Sequence, residues 1–234
     1  AQLLESELDQ IDEALDLYRA ILAGDPGHRD TLRALEGLRR DLAARDDDWG
    51  MHLIQIADLL LEHYEAGRDW RRIVELLELK QDSSEDVRER TELLDRAARV
   101  VEEHATERAD QFQALELRTR AWCLMPEQDE TFAALEPLAD QLEAWERVIP
   151  QVLEGLEFTE DPREQARLLN NAARVYQSKL QDQQSALLAY EQTLDVDPEN
   201  EEAIRQLEGL YGQFEHWESL VRLLGLRLEN TYDG

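Results

Sequence analysis

The chain has 234 residues, 42% of them hydrophobic and 34% charged, which is enough for one or two ordinary domains. Only 10 Gly and 6 Pro interrupt it, so collagen-like and Pro/Gly-rich disordered classes are excluded. Lys and Arg number 25 against 54 Asp and Glu, a net charge of −29 that repels phosphate backbones and anionic lipid, so neither a nucleic-acid partner nor a membrane-surface role is expected.

The abundance of Leu, Ala, Glu, Gln and Arg predicts helix throughout. Periodicity places the first two helices at about 5–23 and 28–44, carrying Ala14-Leu15, Tyr18 and Asp25-Pro26, then Leu35-Glu36-Gly37-Leu38. A third runs over about 48–66, beside the acidic run Asp46-Asp47-Asp48, which reads as a helix cap and solvated charge rather than a Ca²⁺ loop. Helices at about 69–81, 85–105, 108–124, 128–140 and 142–157 follow, then 162–180, 182–195, 200–212 and 215–230. Pro126 and Pro198 mark turns, and Pro162 opens a helix after an Asp161 cap.

Self-comparison shows that the chain repeats. The Ala14 phrase recurs at Ala114-Leu115, Arg118 and Met125-Pro126, and at Ala186-Leu187, Tyr190 and Asp197-Pro198. The Leu35 phrase recurs at Leu135-Glu136-Pro137-Leu138 and Leu207-Glu208-Gly209-Leu210. Trp70, Ile73-Val74 and Leu77 return as Trp145, Val148-Ile149 and Val152, and as Trp217, Leu220-Val221 and Leu224. Ala97-Ala98-Arg99 returns as Ala172-Ala173-Arg174. The offsets are 75 residues (70 to 145, 97 to 172) and 72 residues (126 to 198, 145 to 217). Three parts follow: N-terminal helices over 1–83 with an irregular insertion near 45–66, a four-helix unit over 84–158, and a second over 159–234, together one continuous array. From Pro126 to Trp145 and from Pro198 to Trp217 is 19 residues, but from Pro26 to Trp70 is 44. Either an extra helix interrupts the pairing there, or one long helix bends at Gly50.

The clearest half-repeat is Leu169-Asn170-Asn171-Ala172-Ala173-Arg174-Val175-Tyr176, followed by Ala186, Tyr190, Thr193 and Pro198. It resembles a tetratricopeptide repeat of about 34 residues. The alternate halves depart from that pattern, with Glu36, Glu136 and Glu208 where the family has a small residue. A tryptophan in each unit is also similar to half-a-tetratricopeptide repeats of RNA-processing factors, whose other signature residues are not evident. The resemblance implies an all-α, right-handed superhelical solenoid of antiparallel helix pairs, about twelve helices in all. Small residues at Ala98 and Ala173 permit close helix approach, with Ala114 and Ala186 facing them. Trp70, Trp145 and Trp217 are expected in the core, and Trp49 is either core or an exposed anchor.

No nucleophile elbow, phosphate loop or dinucleotide fingerprint is present, and the five histidines never fall at ligand spacing, so no enzyme activity, cofactor or metal is expected. No stretch approaches the roughly 18 apolar residues of a membrane span. Cys123, the one cysteine, reads as a small core residue and suits a reducing compartment such as the cytoplasm. The N-terminus, without Met or a basic leader, reads as a cut through a longer protein.

The resemblance implies a concave channel lined by the first helix of each pair. It places Asn170, Arg174, Gln177 and Ser178 there, with Asp95, Arg99, Glu102 and Glu103 on the matching helix and Arg205 and Gln213 on the last unit. Asn is suited to a peptide backbone and Arg174 to a carboxylate. Equally, Arg99 and Arg174 pair with nearby acids on so acidic a surface. The expected function is a non-catalytic scaffold for a protein partner, bound in the groove or, if basic, along an acidic flank. The alternatives are a structural spacer or self-assembly module, with homotypic stacking through the C-terminal helix, or the non-catalytic arm of a larger enzyme or secretion complex. Leu220, Val221, Leu223, Leu224, Leu226 and Leu228 give that last helix its apolar surface.

Overall fold

A computed structural model describes residues 2–45, 49–126, 128–159 and 161–232. Among the described residues there are twelve helices and no strand. They are α1 (Gln2–Gly24), α2 (Arg29–Ala43), α3 (Gly50–Gly67), α4 (Trp70–Ser83), α5 (Val87–His104), α6 (Arg108–Leu124), α7 (Asp129–Leu142), α8 (Trp145–Phe158), α9 (Pro162–Ser178), α10 (Gln183–Val196), α11 (Glu201–Gln213) and α12 (Trp217–Tyr232). The chain divides into two compact units at Ala121 and Trp122, within α6. α3 is a helix of its own rather than the continuation of a bent α2, which settles the irregular spacing in favour of an extra helix. Asp46-Asp47-Asp48 lies outside the described residues.

Capping starts these helices. The side chains of Asp69, Asp86, Asp161, Asp182 and Asn200 each accept a backbone N–H of the first turn of α4, α5, α9, α10 and α11. Pro162 takes the first position of α9, where a missing N–H costs nothing. The tryptophan turns share one geometry. Arg68, Glu143 and Glu215 have φ of 55°, 51° and 59°, and each stands two residues before Trp70, Trp145 or Trp217. A single left-handed residue ends one helix and lets the next start antiparallel to it within two or three residues. Because none of these is a glycine, the turns carry backbone strain.

In the first unit, Leu35, Ile56, Leu60, Leu76, Leu77, Leu94, Ala98 and Ala114 are fully buried. The second unit buries Leu135, Val148, Val152, Ala172 and Leu207, and brings Ala173 of α9 into one cluster with Ala186 and Tyr190 of α10. The alanines thus stand at the crossing of the helix pair, where a larger side chain would force the axes apart.

The tryptophans divide. Trp145 is buried and Trp70 half-buried, but Trp217 is 58% exposed, against the expectation that all three are core. The reason is positional: α5 follows α4 and α9 follows α8, whereas nothing among the described residues packs on the outer side of α12. Trp49 is core at 3% exposure, so the anchor alternative is excluded; its Nε1 has no hydrogen-bond partner among the described residues.

Candidate functional site

The two first helices α5 and α9 can be compared position by position at the 75-residue offset. Asp95, Arg99 and Glu102 match Asn170, Arg174 and Gln177. On α6, Arg118 stands where α10 has Tyr190, as their shared phrase shows. Both are buried, Arg118 at 6% and Tyr190 at 0% exposure.

In the first unit the buried cation takes up the carboxylates. Arg118 donates Nε to Glu102 Oε1 and Nη2 to Glu102 Oε2, both at 2.9 Å, and Nη1 to Asp95. Burial works against the charge of Arg118, but the hydrogen bonds and charge of Glu102, with Asp95, outweigh it and hold the guanidinium protonated more firmly than usual. Arg99 pairs with the other oxygen of Asp95, one turn away on the same helix. Three of the positions expected in a channel are therefore tied to one another and to Arg118.

In the second unit the same positions are amides. Asn170 donates Nδ2 to Asn200 Oδ1 at 2.9 Å, the oxygen that also caps α11 through Ala203 N–H at 3.1 Å. The Oδ1 of Asn170 is buried with no hydrogen-bond partner among the described residues. Gln177 Oε1 accepts from the Tyr190 hydroxyl at 3.5 Å, the counterpart of the Glu102–Arg118 contact. Burial first, then the charge of Glu202, pushes the Tyr190 phenol up to about 12, with Arg174 acting the other way. Without a carboxylate at position 170, Arg174 is held differently from Arg99. It donates to Asn171 Oδ1, its Nε lies 3.9 Å from Glu202 Oε1, and its side chain stays 57% exposed.

Arg174 stands on the rim of a cleft of about 120 Å³ lined by α6, α7 and α9. Trp122, Phe132 and Val175 are its apolar lining; Glu136, Asn171, Arg174, Ser178 and Lys179 complete the wall. Aromatic contacts fix the lining, with Trp122 and Phe132 centroids 5.1 Å apart and Phe132 and Trp145 centroids 6.0 Å apart. Lys179 reaches Glu136 at 2.6 Å and Asp140 at 2.9 Å, and lies 5.3 Å from the Trp145 centroid. The hydrogen bonds that Lys179 donates to Glu136 and Asp140 raise its pKa above the ordinary lysine value. The cleft thus combines room for one apolar side chain, an anchored ammonium and an exposed guanidinium.

Asn170, Gln177 and Arg174 lie on one helix, but only Arg174 and Ser178 of the expected channel residues line the cleft. Arg205 is exposed on α11. Sequence reasoning missed Lys179, Trp122 and Phe132. Lys179 was legible as the 75-residue counterpart of His104, and both side chains lie against the tryptophan that opens the preceding helix. Among the described residues no group of His, Cys, Asp and Glu is arranged to hold a metal ion, and no helix is long and apolar enough to cross a membrane.

Phased phrases, alanine crossings and short antiparallel turns define the chain as a tetratricopeptide-like helical repeat. No protein-family model matches it, and no curated protein does. Among solved structures it is similar to MamA, at 14% identity over 76% of this chain and 91% of that one, with a TM-score of 0.38. It is also similar to BtubC from P. vanneervenii, at 18% identity over 97% and 92% with a TM-score of 0.36. A third is pilF of Pseudomonas aeruginosa, at 17% identity over 96% and 95% with a TM-score of 0.33.

Proposed function

We propose that this chain is a non-catalytic interaction scaffold that takes a segment of a partner protein at the α6–α7–α9 cleft. The partner inserts one apolar side chain between Trp122, Phe132 and Val175, and sets a carboxylate or backbone carbonyl against Arg174. The observation that carries this reading is the contrast between two equivalent arginines. Both are exposed, but Arg99 is paired with the carboxylate of Asp95 one turn away, whereas Arg174 has an amide there instead and stands at a cleft with an apolar floor. An incoming carboxylate would exchange with the long Glu202 contact and share the Nη2 donor with Asn171.

The reading is tested by selecting a displayed library of random peptides on the intact chain. Expected is enrichment of sequences that place an acidic residue beside an aliphatic one, lost when selection is repeated on Ser178→Leu, which fills the cleft. Enrichment indifferent to Ser178→Leu and to Arg174→Ala would overturn it.

A further inference from the structure

The outer face of α12 is an apolar stripe left uncovered among the described residues. Trp217, Val221, Leu224 and Leu228 follow one another at 4, 3 and 4 residues, the spacing of one helix face, and are 58%, 70%, 40% and 59% exposed. Internal repetition identifies what such a face receives. The positions 72 residues earlier are Trp145, Ile149 and Val152 of α8, at 5%, 4% and 0% exposure. A further 75 residues back stand Val74 and Leu77 of α4, at 2% and 0%. In the α8 copy three of the four positions are buried and Leu156 is half-buried; in the α4 copy Val74 and Leu77 are buried, Trp70 is half-buried and the fourth position is the buried Gln81.

The two covering helices share a sequence. α5 follows α4 and packs on it, with Leu93-Leu94, then Ala97-Ala98, then His104 stacked on the Trp70 ring at 6.2 Å. α9 does the same for α8, with Leu168-Leu169, then Ala172-Ala173, then Lys179 at 5.3 Å from the Trp145 centroid. Both read Leu-Leu-x-x-Ala-Ala-x-x-x-x-x-His/Lys. Leu168 reaches α8 beside Gly155, the small residues allow close approach on both sides of the helix, with Ala173 against α10, and the lysine or histidine closes on the indole. Lys80 of α4 turns back to Asp58 of α3 at 2.6 Å, and at the matching position Arg227 of α12 turns back to Glu208 of α11 at 2.5 Å.

We propose that the Trp217–Val221–Leu224–Leu228 face is a docking site for an amphipathic partner helix with this pattern: two leucines, two alanines and, six residues after the second alanine, a lysine or histidine over Trp217. The helix runs antiparallel to α12, as α9 runs to α8. This site lies apart from the α6–α7–α9 cleft, and its failure would leave that reading standing.

The probe is a peptide copy of residues 162–180, titrated into the intact chain. Binding is followed by fluorescence with Trp49, Trp70, Trp122 and Trp145 replaced by Phe one at a time, so that the change is assigned to Trp217. Saturable binding with a blue shift of Trp217 is expected. Val221→Glu should weaken it by about tenfold or more, the loss of one buried aliphatic contact and the burial of a charge. Because Val221 is exposed, this variant should keep the wild-type circular dichroism. A peptide carrying Ala172→Glu and Ala173→Glu should not bind. A short free peptide is poorly helical in water, so the same helix is also appended to the C-terminus through a flexible linker, where a rise in the thermal midpoint that Val221→Glu abolishes is expected. No midpoint shift, or a shift indifferent to Val221→Glu, would overturn the proposal. So would self-association of the unmodified chain that Val221→Glu dissociates, since the occupant would then be a second copy.

Discussion

Arg118 of α6 and Glu102 of α5 form a two-point pair, Nε to Oε1 and Nη2 to Oε2, both at 2.9 Å. The pair stands where the second unit has Tyr190 and Gln177, so one cross-helix polar contact has been kept with different chemistry. Removing Arg118 would leave Asp95 and Glu102 facing each other across the hole. Arg118→Ala should cost about 2–3 kcal/mol, combining charged hydrogen bonds with the packing of the arginine stem. Arg99→Ala, at a side chain 62% exposed, should cost less than about 1 kcal/mol. Urea unfolding of the two variants separates them, and equal losses would contradict the assigned roles.

The left-handed residues before the tryptophans give a second test. A non-glycine residue there costs about 1–2 kcal/mol, partly offset by the extra freedom glycine brings to the unfolded chain. Glu143→Gly and Glu215→Gly should therefore each stabilise by about 0.5–1 kcal/mol, read as a higher urea midpoint. Glu143→Ala should not.

These comparisons show what the sequence carried. Phrases at fixed offsets located the helices, the alanine crossings and the turns, because packing repeats with the chain. The left-handed turns escaped, since Arg68, Glu143 and Glu215 are not the glycines that normally advertise them. Arg118 escaped as well: its partners lie 16 and 23 positions away, and only alignment with Tyr190 marks the slot as buried. The exposure of Trp217 was hidden because its local sequence matches that of buried Trp145. The difference lies in the next helix.

Overpacking tests the faces of α9. Ala173→Leu should destabilise by about 1–3 kcal/mol, since Ala173 is fully buried against α10. Ser178→Leu, at an exposed position on the cleft, should change stability by less than about 0.5 kcal/mol. Similar losses at both sites, measured by denaturant titration, would mean the faces are misassigned.

Asp140 supplies a pH dependence. The hydrogen bond from Lys179, then the one from Trp145 Nε1 at 2.6 Å, holds its carboxyl below the ordinary value of 3.8. A depressed folded pKa means the contribution is present above about that value and disappears as pH falls through the folded pKa. Trp145→Phe removes the donor and also part of a buried indole, so its cost has a packing part at every pH and a hydrogen-bond part of about 1 kcal/mol at neutral pH. The gap between the two proteins should narrow by that second part in strong acid. A gap that does not narrow once Asp140 is protonated would place its whole origin in packing.

The most direct measurement is a titration of a library-selected peptide against the wild-type chain and Arg174→Ala, at low and at high salt. A desolvated, charge-assisted contact in the cleft should lose about 2 kcal/mol or more on Arg174→Ala, and little on adding salt. Long-range attraction to a surface of net charge −29 would be screened over about 8 Å at physiological ionic strength. Strong salt dependence with no effect of Arg174→Ala would contradict the cleft and move binding to the acidic flank.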